Sequence, residues 1–172
     1  MTFISIVCRK NGSIVISRIS DNDDYETVDF YTFSFKQNKV TRFISELQKL
    51  IDPYDTDILL VDFDRANKLQ YVNQIYGCIQ TLKIFGTINS LTFINDHRKM
   101  FTRISRYVNA GKKRKMTRNG IANLLLESRS CVFYTKSIEI FISNKSTQGY
   151  NQHRMSLISL YYMVVKHRLK RV

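Results

Sequence analysis

The sequence has no tryptophan, one proline and six glycines in 172 residues, which excludes the compositions of collagen, low-complexity and disordered chains. Its three cysteines, Cys8, Cys78 and Cys131, lie far apart, which argues against a CxxC zinc site and against a disulfide framework. Each cysteine lies in an apolar stretch, where we expect a buried thiol that behaves as a small hydrophobic side chain.

Long apolar runs are also missing. The longest, residues 157–165, contains Ser159 and is far shorter than the roughly 20 residues that span a bilayer. The N-terminal segment lacks the basic start, the apolar stretch and the cleavage site of a signal peptide. We therefore expect an intracellular protein with no membrane partner. The abundance of Ile, Lys, Asn and Tyr suggests the AT-rich coding of some large DNA viruses, and a viral protein would act in the host cytoplasm or nucleus.

The composition that is present is that of a globular protein, with 44% hydrophobic and 24% charged residues. A chain of this length buries roughly 68–70% of its unfolded surface on folding, which supplies a core without disulfides or metal ions. We predict a single domain that covers residues 1–172.

Negative charge is scarce in the second half of the chain. Residues 1–90 carry ten Lys/Arg and eleven Asp/Glu, whereas residues 91–172 carry seventeen Lys/Arg and three Asp/Glu, the last of them Glu139. The total net charge of +13 is therefore concentrated in one half. Such an asymmetry favours a polyanionic partner, and nucleic acid is the simplest one.

Alternating apolar residues at the start of the chain predict three antiparallel strands. These strands cover residues 3–8, 13–19 and 28–35, and Asn11-Gly12 between the first two is a strong hairpin signal. The apolar spacing then becomes helical from Val40 to Ile51, with Asn38 as the predicted N-cap.

The rest of the chain alternates short apolar runs with helical spacing. A strand at 57–62, a helix at 69–85 and a strand at 90–95 are followed by a helix from Met100 and a last helix at 155–168. Segments 130–134 and 138–142 fit a strand or a helix equally well. A hairpin-led sheet that gains parallel strands through helical crossovers is the RNase H-like topology. The predicted class is α/β, an RNase H-like mixed sheet of three antiparallel meander strands plus parallel strands, with flanking helices.

Four segments of this order also resemble a known family. Residues 5–11 (SIVCRKN) are similar to the first-strand motif S-I-D-I-G-x-K-N, and residues 59–65 (LLVDFDR) to a strand L-L-I-E-x-Q. Residues 112–115 (KKRK) occupy the place where the family has a Lys/Arg cluster. Residues 151–156 (NQHRMS) occupy the place where it has a D-D-x-x-D motif before the last helix. The family is that of the RuvC-type Holliday junction resolvases of the viral and mitochondrial kind. The resemblance extends over most of the chain but rests on order and spacing more than on identities.

The resemblance implies a nuclease that holds two Mg²⁺ ions between carboxylates on the first strand, the fourth strand and the last helix. In this sequence the first-strand acid position is Val7, and the acids of the last helix are replaced near Gln152, His153 and Ser156. The fourth-strand acid remains as Asp62, and Asp64 follows on the same face. Asp62 and Asp64 are therefore the candidate catalytic residues, and Asp62 and His153 are the candidate metal ligands. No cofactor is expected, apart from Mg²⁺ if the protein is active.

Two basic clusters are the candidate DNA-binding surface. In the sequence between the two clusters, Glu127 and Glu139 are the only acidic residues. The alternative for the first cluster is a solvated loop or a nuclear localisation signal. The candidate residues are Arg103, Arg106, Lys112, Lys113, Arg114, Lys115 and Arg118 in the first cluster, and Lys166, Arg168, Lys170 and Arg171 in the second.

Three functions are compatible with these patterns. The first is a degenerate RuvC-like protein that binds branched or double-stranded DNA with catalysis lost or weak. The second is an active Mg²⁺-dependent junction endonuclease with relocated ligands, which could use Asp62, Asp64, Asp29 or His153. The third is a structural or assembly protein, viral or otherwise, that reuses the fold. The resemblance further implies a homodimer.

Overall fold

A computed structural model describes residues 1–20, 29–35, 39–64, 70–95, 100, 102 and 150–170. Five strands and three long helices lie in these ranges. They are β1 (Thr2–Cys8), β2 (Ser13–Ser20), β3 (Asp29–Ser34), α1 (Val40–Gln48), β4 (Thr56–Asp62), α2 (Gln70–Ile84), β5 (Ser90–Ile94) and α3 (Tyr150–Lys170).

The five strands form one mixed sheet in the order β3-β2-β1-β4-β5. β1 pairs antiparallel with β2, and β2 pairs antiparallel with β3, as the hairpin signal predicts. β4 lies parallel to β1, and β5 lies parallel to β4. The predicted mixed sheet of three meander strands plus parallel strands, flanked by helices, is therefore confirmed.

The two faces of the sheet carry separate apolar cores because successive side chains of a strand point to opposite sides. On one face, Ile4, Ile6 and Cys8 of β1 contribute to a core that also contains residues of α1 and α2. On the other face, Phe3 and Val7 contribute to a core formed mainly with α3. Both faces are covered, which explains why β1 and β4 are apolar almost throughout.

Two helix ends differ from the prediction. The N-cap of α1 is Lys39, whose side chain makes no capping hydrogen bond, whereas the predicted cap, Asn38, lies outside the described residues. α3 starts at Tyr150, before the predicted start at Met155, because its first turns carry polar residues that apolar spacing does not detect. This earlier start places Gln152 and His153 within the helix.

Part of the prediction falls outside the described residues. Met100 and Thr102 are helical, but the rest of the predicted helix from Met100 and the segments 130–134 and 138–142 lie there. Among the described helices, none has the length and apolar character needed to cross a membrane.

Candidate functional site

The candidate site lies where the parallel strands β1 and β4 end side by side. Val7 of β1 is in register with Val61 of β4, and both side chains are fully buried in the core beneath α3. The position at which the family resemblance places a first-strand acid is thus an apolar contact between two valines and α3. An unpaired carboxylate in such surroundings would be strongly disfavoured.

Gln152 of α3 supplies the polar contacts at this position. Its Nε2 donates to the carbonyl oxygen of Val7 at 2.8 Å and to that of Ser13 at 2.9 Å. Its Oε1 accepts a hydrogen bond from Ser13 Oγ at 3.0 Å. The side chain is 1% exposed, and both amide hydrogens and the amide oxygen are engaged. Gln152 therefore joins α3 to the β1–β2 hairpin as a neutral, hydrogen-bonded clamp.

A second polar contact follows one turn later on α3. The hydroxyls of Ser156 and Ser17 share a hydrogen bond, and both residues are fully buried. Small hydroxyl side chains allow the helix to approach β2 closely while every polar atom in the contact keeps a partner. Where the family resemblance places acids of the last helix, this chain has neutral groups that bind the sheet.

These residues do not fit a pair of Mg²⁺ ions. Mg²⁺ prefers carboxylate oxygens and water in an octahedral arrangement, but Val7, Gln152, Ser156 and Ser17 supply no carboxylate. Among the described residues, no cluster of three or more His, Cys, Asp or Glu side chains is placed to hold a metal.

Asp62 lies on the opposite face of the sheet from Val7. It is in register with Cys8, whose side chain belongs to the core with α1 and α2, and it is 1% exposed. His153 is on α3 beneath the other face, with its ring 5.6 Å from that of Phe30. The structure thus places the two candidate metal ligands on opposite faces of the sheet and does not bring them together, and a metal site formed by Asp62 and His153 stays a prediction.

Asp64 is held at the start of the turn after β4. Its carboxylate accepts a hydrogen bond from the backbone N–H of Lys10 at 2.8 Å and contacts the Arg9 guanidinium at 3.4 Å. The Arg9 guanidinium also lies 5.0 Å from the centre of the Phe63 ring. Asp64 thus ties the end of β4 to the hairpin, and a catalytic role for Asp62 and Asp64 stays a prediction.

The remaining predicted residues are dispersed. Asp29 lies 4.0 Å from Arg18 at the end of the sheet away from Val7. Lys166 is half-buried beside Asp57 and Ser90, where β4 and β5 begin, which is also the far end. Arg168 and Lys170 are within α3, but their side chains are outside the described set. Arg103, Arg106, Lys112, Lys113, Arg114, Lys115, Arg118 and Arg171 lie outside the described residues, so DNA binding by the two clusters stays a prediction.

Cys8 lies among titratable side chains whose proximity the sequence did not reveal. Burial, with a smaller contribution from the Asp62 charge, raises the pKa of the Cys8 thiol far above its usual range. Burial, followed by the charges of Cys8, Asp62 and Asp64, also raises the pKa of Tyr71, whose hydroxyl donates to the carbonyl oxygen of Arg9. The apolar run around Cys8 predicted its burial, but the partners on β4 and α2 become visible only in the fold.

The raised pKa of Cys8 predicts a loss of stability at alkaline pH. The folded state keeps the thiol protonated, whereas the unfolded chain releases the proton above about pH 8.5, so stability falls as pH rises. Between about pH 9 and 10.5 we expect the wild type to lose up to about 1.4 kcal/mol per pH unit more than Cys8→Ala does. Urea denaturation over this pH range measures the difference.

Ile6→Val is the control for the alkaline experiment. It removes one buried methylene group from the same strand and face without changing a titrating group. It should lower stability by about 1 kcal/mol and leave the pH dependence as in the wild type. If Cys8→Ala and the wild type had the same slope, the thiol would not be the group that resists ionisation.

Comparison with known proteins supports the fold assignment. No protein-family model matches the sequence, and no curated protein matches it. Among solved structures, it resembles T. thermophilus RuvC, determined in complex with a Holliday junction substrate. The TM-score is 0.59 at 9% sequence identity, and the match covers 98% of this chain and 96% of that one. The protein therefore has a RuvC-like, RNase H-like fold.

Proposed function

We propose that the protein binds branched or double-stranded DNA through a RuvC-like fold whose metal–carboxylate centre is replaced by neutral contacts. The observation that carries this proposal is the pair of Val7 and Gln152, buried and hydrogen-bonded where resolvases hold acids. The Gln152 amide donates both hydrogens to carbonyl oxygens, accepts a bond from Ser13 Oγ, and brings no negative charge to a metal ion. The surroundings of Val7 thus favour a closed structural contact over a catalytic centre.

The charge distribution supports a nucleic-acid partner. The fold is similar to that of a protein solved with Holliday junction DNA, and seventeen Lys/Arg against three Asp/Glu lie in residues 91–172. Positive charge of this density attracts phosphates and releases their counterions on binding. A fold that lacks the first-strand and last-helix acids but carries this charge is suited to holding DNA without cutting it.

Binding and cleavage can be read in one experiment. Purified protein is incubated with a labelled four-way junction, a linear duplex and a single strand, with EDTA, Mg²⁺ or Mn²⁺. We expect complexes with the junction and the duplex in all three conditions, and intact strands in each of them. Binding should weaken steeply with salt because phosphate contacts dominate the affinity.

Two results would overturn the proposal. Symmetrical, metal-dependent nicks that disappear in Asp62→Asn would show an active endonuclease with relocated ligands. The absence of any binding at low salt would instead favour a structural or assembly role.

Light scattering of the same sample, free and with the junction, tests the homodimer that the family resemblance implies.

A further inference from the structure

A cavity of about 500 Å³ opens between the edge strand β3 and helix α1. It lies on the face opposite to Gln152 but at the same end of the sheet, because its wall includes Ile14 and Phe35 beside the β1–β2 hairpin. Its volume is in the range of cavities that hold small organic molecules. None of the contacts described above uses this cavity.

Aromatic rings form the floor and one wall of the cavity. Phe43 of α1 is 3% exposed, and its ring meets that of Phe33 edge to face at 5.8 Å. Phe35 stacks on Tyr71 at 5.0 Å, and its backbone N–H donates to the carbonyl oxygen of Gly12 at 2.7 Å. A Cβ atom at Gly12 would lie 2.7 Å from the carbonyl oxygen of Phe35, so this close approach requires glycine. The rings are therefore fixed in place, which favours the binding of a planar ligand.

Positive charge lies at the rim of the cavity. Lys39 and Arg42 line it and are exposed, and within the described part of the chain neither has an ion-pair partner. The carboxylate of Glu46, which also lines the cavity, is 2.9 Å from Lys49 Nζ and is neutralised there. Two unpaired cations above an aromatic floor favour a ligand that combines an anionic group with a flat ring.

Thr32 and Ser34 of β3 also border the cavity, but their side chains point to the other face of the sheet, because successive residues of a strand alternate. Ser34 is in register with Ser13, whose hydroxyl bonds Gln152 on that other face. The cavity therefore offers ring faces and cations, which are two of the elements with which proteins hold unpaired nucleotides.

We infer that this cavity takes up one unpaired nucleotide of a bound DNA strand. The base enters between Phe33 and Phe35, and its phosphate lies at Lys39 and Arg42. The inference rests on the proposed DNA binding and adds a preference for DNA with an unpaired base. A nucleotide that is already unpaired enters at low cost because no base pair has to open.

The test compares three labelled duplexes of one sequence by fluorescence anisotropy. One is fully paired, one carries a single unpaired thymidine, and one carries an abasic residue at that bulge. The abasic bulge keeps the bend and the phosphates but lacks the base. We expect the wild type to bind the thymidine bulge about tenfold more tightly than the abasic bulge.

Two variants assign this preference to the cavity. Phe33→Leu removes one ring face from a half-buried strand position that lines the cavity and should reduce the tenfold ratio to about one. Arg42→Gln should lower the slope of log K against log salt for the thymidine bulge by about 0.9. Lys83→Gln is the matched control, since Lys83 is an exposed cation near the end of α2 outside the cavity, and it should retain the full ratio.

The possible results separate this inference from the proposed function. Duplex binding with equal affinity for the two bulges, or a ratio that Phe33→Leu does not change, would overturn the nucleotide site alone. Binding of free dTMP that Phe33→Leu abolishes, without a preference for the thymidine bulge, would overturn it in favour of a free-nucleotide site. Failure to bind any of the three duplexes would overturn both proposals.

Discussion

Replacement of Gln152 by leucine is expected to lower the free energy of unfolding by about 3 kcal/mol. Leucine has a similar size, but it removes the two bonds that Nε2 donates to the carbonyl oxygens of Val7 and Ser13 and the bond that Oε1 accepts. A buried polar group that loses its partner costs about 1–3 kcal/mol, and Ser13 O keeps one bond from the Arg9 N–H. Urea denaturation at neutral pH measures the change.

Gln80→Leu is the matched control for this experiment. Gln80 is exposed on α2, so the same chemical change should alter stability by less than about 0.5 kcal/mol there. A destabilisation of only this size at Gln152 would show that the clamp contributes little to the attachment of α3, and the structural reason for a neutral residue at this position would fail.

Gln152→Glu asks directly why no acid is present. A glutamate facing two carbonyl oxygens in the core would have a raised pKa, because both burial and the oxygens disfavour its charged form. Its stability deficit should therefore shrink as pH falls toward the unfolded value of about 4.3, where the protonated acid regains a donor. If Mg²⁺ at neutral pH selectively restored this variant, the position would still be able to host a metal.

The strands and helices were predictable because their periodicities are local. β1, β2 and β4 are short apolar or alternating runs, and the Asn11-Gly12 signal correctly places the hairpin between β1 and β2. The boundaries erred where the local signal is weak, as in the first turns of α3. The parallel addition of β4 and β5 followed from the helices between the strands, which leave room only for crossover connections.

The candidate site was harder to predict because it depends on the register between β1 and β4. Similarity to an acid-terminated strand selected Asp62, but the pairing places Val61 beside Val7 and Asp62 beside Cys8. A shift of one residue transfers a side chain to the other face of a sheet, so a motif matched by spacing can identify the strand and miss the face. The spacing of residues along one strand does not determine the register between β1 and β4.

Gln152 was predicted only as a replaced acid. Its partners, Val7 and Ser13, are more than a hundred residues away in the sequence, and a buried glutamine has no local signature. Polar residues before an apolar helix are usually read as a solvated first turn. Only the packing of α3 against the hairpin gives this side chain its hydrogen-bond partners.

The second large effect is expected in DNA binding. Replacing Lys112, Lys113, Arg114 and Lys115 with alanine should flatten the slope of log K against log salt by up to about 0.9 for each phosphate that the variant no longer binds. The affinity for duplex and junction should fall at least about tenfold at physiological salt. Fluorescence anisotropy between about 50 and 200 mM salt measures both quantities.

A matched pair of double variants separates specific contacts from the effect of total charge. Lys112→Ala with Lys113→Ala removes the same charge as Lys49→Ala with Lys83→Ala, but the second pair lies in the half of the chain that is almost neutral. Long-range attraction would weaken binding equally in both double variants, whereas direct phosphate contacts would change the salt slope in the first pair alone.

An unchanged slope in the fourfold variant would remove residues 112–115 from the interface and favour a nuclear localisation signal. Binding would then come mainly from the other cations of residues 91–172, where the net positive charge is concentrated.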